Sequence, residues 1–208
     1  MTFPSSNILD SATRANEGPP PSSSWSTPTG ASGFSIVSNR FAGGGAVNGM
    51  IWNTSFGVDQ EMYITINTIP NVGSAISIIA RGQGTGNVTT IDGYIVTYTR
   101  VAGTDTCNIQ RLDNGVGTTL GSTISQEIAA GDSIGIQVRG STIEGFYRSG
   151  SGAWVSLGTR TDTTYTAAGQ LCVIGQGTTA RLSNFGGGTY VPFPPLPRWL
   201  AEKTYVRR

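Results

Sequence analysis

Asp59 and Glu61 come closer to a catalytic arrangement than any other acids in this 208-residue chain. They stand two apart, and in a regular strand alternate side chains share a face. Two carboxyls on one face are what retaining hydrolysis of a glycosidic bond uses, one as nucleophile and one as acid. The expected state of this pair is a solvated strand entrance, and no catalytic residue is expected. A second constellation is Arg81, Asp92, Tyr94, Tyr98 and Arg111. If residues 75–112 form a simple meander, Arg81, Asp92 and Arg111 fall at the same end of three successive strands. Tyr94 and Tyr98 share a face of the middle strand. Aromatic platforms beside planar hydrogen-bonding groups suit a sugar ring. The alternative is that one tyrosine belongs to the core and the arginines are solvated or paired.

Other chemistry is thinly represented. The chain has no histidine, which removes the commonest general base and metal ligand and every Ser-His or Cys-His nucleophile pair. Asp92, Asp105, Asp113, Asp132 and Asp162 each sit where a turn favours an Asx residue anyway. No metal ligand and no cofactor is expected. Calcium is the one ion those aspartates leave open. Gly82-Gln83-Gly84-Thr85-Gly86 lacks the Gly-Lys-Ser/Thr ending of a phosphate loop and reads as a hairpin loop. Cys107 and Cys172 lie in strand-like runs and read as small buried thiols, with a disulfide as the sharper alternative.

The elements that must position these residues are strands. Residues 131–175 read as four of them, with Ile134, Ile136 and Val138 alternating with Gly135, Gln137 and Arg139. Residues 34–41 read as one alternating strand, followed by runs at 50–53, 61–66, 75–81 and 94–100. Asp113-Asn114-Gly115 is a hairpin signal between 106–112 and 116–121, because Asn and Gly accept positive φ. The last strand covers 180–185, and Gly186-Gly187-Gly188 is read as its end. This gives an all-β, antiparallel two-sheet sandwich over residues 34–187. Residues 1–33 form an extended Pro/Ser-rich leader with an edge strand at Asn7–Asp10, and Trp25 covers one end of the core.

Residues 188–208 form a proline-rich C-terminal arm, with two helical turns expected at 198–206. It carries Tyr190, Phe193, Leu196, Trp199, Leu200 and Tyr205, the aromatic and apolar anchors that interface segments use. Docking on another subunit is expected; folding back on its own domain is the alternative.

Composition narrows the partners. Charged residues make up 12% and the net charge is +1, so no global field steers nucleic acid or an acidic membrane. The N-terminus has no basic and apolar regions of a signal peptide, and no run approaches a membrane span. A protein without nucleic-acid or membrane partners is expected.

Asn7-Ile8-Leu9-Asp10, Arg14-Ala15-Asn16, Ser24-Trp25, Phe34–Asn39, Gly131–Gly135 and Ser183-Asn184-Phe185-Gly186 resemble the concanavalin A-like lectin/glucanase superfamily. More narrowly they resemble the laminin-G-like jelly rolls of bacteriophage virion proteins. The resemblance covers residues 7–187. It implies a jelly-roll sandwich with one convex and one concave sheet, and in some relatives a ligand on the concave side. Glycosidases of that superfamily carry three closely spaced acids on one strand, and Asp59-Gln60-Glu61 lacks the third. The resemblance therefore implies a non-enzymatic virion structural protein, a capsid or tail decoration that meets other virion proteins, copies of itself and surface glycans. A carbohydrate-binding adhesion module is the alternative, and a glycoside hydrolase the third reading.

Overall fold

The computed structural model describes residues 3–192. Sixteen strands follow in chain order: β1 (Ile8–Asp10), β2 (Trp25–Ser26), β3 (Ser32–Val37), β4 (Arg40–Gly43), β5 (Val47–Trp52), β6 (Gln60–Thr68), β7 (Ala75–Gln83), β8 (Asp92–Thr99), β9 (Thr106–Asp113), β10 (Val116–Thr119), β11 (Ile124–Ser125), β12 (Asp132–Arg139), β13 (Thr142–Arg148), β14 (Val155–Thr161), β15 (Gln170–Gln176) and β16 (Arg181–Thr189). No helix among the described residues is long and apolar enough to cross a membrane.

The strands hydrogen-bond along one path, β10-β9-β8-β7-β15-β5-β3-β4-β16-β6-β12-β13-β14. The path turns at β3. Ser32 and Gly33 pair parallel with β5, while Phe34 to Val37 pair antiparallel with β4. The result is two layers: β10 to β5 form the first sheet, and β16 to β14 the second. They face one another through β12 on β7 and β8, and β6 on β7.

Period-two alternation explains the interior. Ile76, Ile78 and Ala80 of β7 and Tyr94, Val96 and Tyr98 of β8 join Met62, Ile64 and Ile66 of β6 and Ile134, Ile136 and Val138 of β12 in one buried cluster. Each fully buried aliphatic chain contributes about 1.5–3 kcal/mol. Trp25 closes one end of this core, edge-on to Phe41 and Phe185, with its indole N–H on Asp10 Oδ2 at 2.8 Å. Burial alone would push the Asp10 carboxyl up, but the bonds from Arg14, Trp25 and the Ala12 amide outweigh it and hold the group below its ordinary value.

The four strands expected over 131–175 are β12 to β15. Three local expectations are corrected. The run 34–41 is a hairpin, because Ser38 and Asn39 take φ of 51° and 60° and reverse the chain between β3 and β4. The triple glycine lies inside β16, which pairs with β6 as far as Thr189↔Gln60. Glu61 is not at a solvated strand entrance but fully buried. Cys107 and Cys172 are free buried thiols, one in the interior and one on the opposite face of the first sheet. Burial pushes each thiol up to about 12.

Candidate functional site

The meander places Arg81, Asp92, Tyr94 and Arg111 together at one end of the first sheet, with Ala80 paired to Tyr94 and Tyr94 to Arg111. These residues are engaged with one another and their neighbours. Arg81 is 1% exposed and takes φ of 54°, at a break in the β7–β8 register. Its Nε donates to Val58 O at 2.5 Å, and its Nη1 to Gly140 O and Tyr165 O, each at 2.8 Å. Burial pushes its guanidinium down from the ordinary arginine value, against the opposing charge of Asp59. Tyr94 is fully buried and donates its hydroxyl to Asp162 Oδ1 at 2.8 Å. Arg111 bonds Asp113 Oδ2 at 2.8 Å and Asp162 Oδ2 at 3.2 Å. Tyr165 donates to Asp113 Oδ1 at 2.7 Å, and Asp92 accepts the Asn114 amide at 2.7 Å. Among the described residues no group of three or more acidic or cysteine side chains is arranged to hold a metal ion.

Tyr98 stands elsewhere. It is fully buried at the other end of β8, with its hydroxyl on Asp105 Oδ2 at 2.7 Å. Tyr94 and Tyr98 share a face as expected, but that face is the inner one, so neither ring forms a platform for a ligand. Asp59 and Glu61 also part company. Asp59 is partly exposed and accepts from the Gly140 amide at 2.8 Å, while Glu61 lies beneath the N-terminal segment. Of the expected interface anchors, Tyr190 is buried, with the Arg139 guanidinium 5.5 Å above its ring. Phe193, Leu196, Trp199, Leu200 and Tyr205 lie outside the described residues, as does the helix expected at 198–206.

The open hollow belongs to the other face of the same sheet. Ile79 and Ile95 are cross-strand partners there, and Ile51, Ile91, Leu112 and Cys172 pack beside them in a second apolar cluster. Over Ile79, Ile91, Ile95 and Leu112 of this cluster runs a groove of about 560 Å³. Its walls are the loop at Val88 and Thr89 and the β9–β10 hairpin at Asn114 to Gly117. That hairpin is the one expected from Asp113-Asn114-Gly115, with Asn114 and Gly115 at φ of 47° and 74°. The polar groups are Ser77, Thr89, Gln110 and Asn114. Gly117 leaves room for the Gln110 amide: a Cβ there would stand 3.0 Å from Gln110 Nε2. An aliphatic floor flanked by amides and hydroxyls accepts a neutral ligand with an apolar face and hydroxyl edges. Ile79 on the face opposite Ile76, Ile78 and Ala80 is apolar, but one such residue beside Ser77 does not tell a covered face from a solvated one.

No family model and no curated protein matches the sequence. Solved structures are similar in fold. The exoplasmic/lumenal domain of VIP36, in a Ca2+/Man-bound form, superposes with a TM-score of 0.64 at 11% identity, over 93% of each chain. The Bacillus licheniformis beta-glucanase does so with a TM-score of 0.59 at 13% identity, over 88% of this chain and 97% of that one. The carbohydrate-binding module CBM66 from Bacillus subtilis gives a TM-score of 0.53 at 12% identity, over 80% of this chain and 93% of that one. At such identities the likeness speaks for the fold alone, and that fold is a concanavalin A-like jelly-roll sandwich.

Proposed function

We propose that this chain is a lectin-like carbohydrate-binding module, non-catalytic, whose groove over β7, β8 and β9 takes a short stretch of neutral oligosaccharide. The observation that carries the reading is the groove itself. It is preformed, wide enough at about 560 Å³ for one or two sugar rings, and pairs aliphatic floor with the Gln110 and Asn114 amides. The fold neighbours named for carbohydrate binding or for bound mannose lend support. A glycan array followed by calorimetric titration tests it. At least one neutral oligosaccharide binds, and Gln110→Ala weakens it about tenfold, the effect of one hydrogen bond of about 1.4 kcal/mol. An array without a hit, or binding indifferent to Gln110→Ala, overturns the assignment.

A second reading is that the module decorates a bacteriophage virion and is held there by its C-terminal segment. It rests on the laminin-G-like resemblance and on one observation. The domain ends firmly at Tyr190, whose amide bonds Asp59 O at 2.8 Å, and Val191 then stands 66% exposed, ahead of the aromatic and proline-rich residues that follow. Truncation belongs after Pro192, since Thr189 and Tyr190 are part of the body. On this reading the shortened protein melts as before but no longer associates, with itself or with particles stripped of it, in sedimentation. Undiminished association removes it.

A further inference from the structure

The outward face of the second sheet carries a side-chain array that the groove does not involve. Strand register sets Glu61 opposite Gln137 and Gln137 opposite Glu144, so carboxylate, amide and carboxylate form one row. The next row is Tyr63, Gly135 and Phe146, two aromatic rings with a gap between them. Residues Phe3 to Ser6 lie across both rows. Phe3 stacks on Phe146, centroids 4.0 Å and planes 1° apart, and meets Trp154 edge-on at 4.9 Å. Its ring occupies the gap: a Cβ on Gly135 would stand 2.5 Å from it. The Ser5 amide, the Ser5 hydroxyl and the Ser6 amide donate to Glu61 Oε1 at 2.6, 2.9 and 2.5 Å, and Gln137 Nε2 donates to Oε2 at 2.9 Å. Beside the stack, a hollow of about 370 Å³ is lined by Phe3, Gln137, Arg139, Glu144 and Phe146.

A ring laid flat on an aromatic face, with neighbouring donors on one carboxylate, is also what a pyranose offers. Its C–H face stacks, and two adjacent hydroxyls bond a carboxylate. We propose that Phe3–Ser6 fills, in cis, a second sugar-binding site on the sheet opposite the groove, and that an oligosaccharide binds there by displacing this strap. The strap is short enough to leave: strand pairing begins only with Ile8. Its attachments, one stacked ring and donors gathered on one carboxylate, are of the kind a sugar ring would make. While it is seated, the site's apparent affinity is lowered by the fraction of molecules in which it is open.

The test uses the full chain carrying Gln110→Ala, so that the groove's affinity is lowered about tenfold and is the same in both proteins compared. Gluco-, manno- and galacto-oligosaccharides are titrated into this protein and into the same protein with Phe3→Ala. Opening the site raises affinity for at least one series about tenfold or more. Adding Glu61→Gln abolishes the gain. In the chain with Phe3 intact, saturating sugar accelerates hydrogen exchange at the Ser5 and Ser6 amides. Three results overturn the proposal: a folded Phe3→Ala protein that binds no better, a gain that survives Glu61→Gln, or exchange at Ser5 and Ser6 unmoved by sugar. Failure of the groove would show instead as indifference to Gln110→Ala in a chain whose strap is intact.

Discussion

Arg81 directs all three guanidinium nitrogens into the protein, onto Val58 O, Gly140 O, Tyr165 O and Asp59. Its own amide is taken by Gln60 Oε1 at 2.7 Å. One side chain thus joins the entrance of β6 to the β12–β13 turn and to the segment before β15. Without it, three carbonyls at a buried junction lose their donor. Arg81→Met keeps the volume and removes the donors, so stability falls by about 3 kcal/mol. A lower denaturant midpoint at unchanged slope is the expected result; a midpoint within experimental error of the parent would mean that water replaces the guanidinium. The convergence of Arg81 with Asp92, Tyr94 and Arg111 was legible in the sequence, since a meander has only one way to bring strand ends together. Its consequence was not. Whether an arginine at a strand end meets solvent or carbonyls depends on the segments at 58, 140 and 165, and a periodicity carries no trace of them.

Strands are where the sequence speaks most clearly, and where its silences have simple causes. Alternation located β12 to β15, and Asn114-Gly115 marked the β9–β10 turn by the positive φ those residues accept. The turn at Ser38-Asn39 was hidden in an unbroken alternating run. The triple glycine looked like a stop because glycine weakens a strand. In β16 it has a packing purpose: a Cβ on Gly186 would stand 2.1 Å from the Tyr63 ring, which lies over it. The groove was illegible for a related reason. Ile95 and Val96 are both apolar, so the pattern of β8 does not say which side is covered by a second sheet. The strap was beyond reach, since Ser5 and Glu61 stand 56 residues apart and only the folded register brings them together.

Over the whole molecule, polar order is carried by aspartates and hydroxyls, with 12% charged residues and no histidine. Among the described residues four carboxyls are held below their ordinary value. For Asp10, Asp132 and Asp162 burial works in the other direction and hydrogen bonds outweigh it; for Asp113 the Tyr165 hydroxyl and Arg111 lead. A depressed folded pKa means that the unfolded chain takes up protons first. Stability is therefore complete above the ordinary aspartate value of 3.8 and is lost as pH falls below it. At the alkaline end the sign reverses: the two thiols raised from 9.0 to about 12 favour unfolding once pH climbs past their unfolded value. Thermal melts should be level between about pH 5 and 8, with no midrange step because no imidazole titrates, and should fall progressively below about pH 4. A step near neutrality would contradict this.

The pairing of β1 with β16 has a mechanical consequence. Ile8 lies opposite Gly186 and Asp10 opposite Phe185, in antiparallel register. The chain therefore enters β1 and leaves β16 at the same end of this seam. A tensile load applied through the two ends would open that ladder like a zipper, one rung at a time, instead of shearing all its rungs at once. Held by both ends, the domain opens this seam at lower force than shear would need, while β16 keeps its pairing with β6. Held by one end, it leaves the β1–β16 seam unloaded.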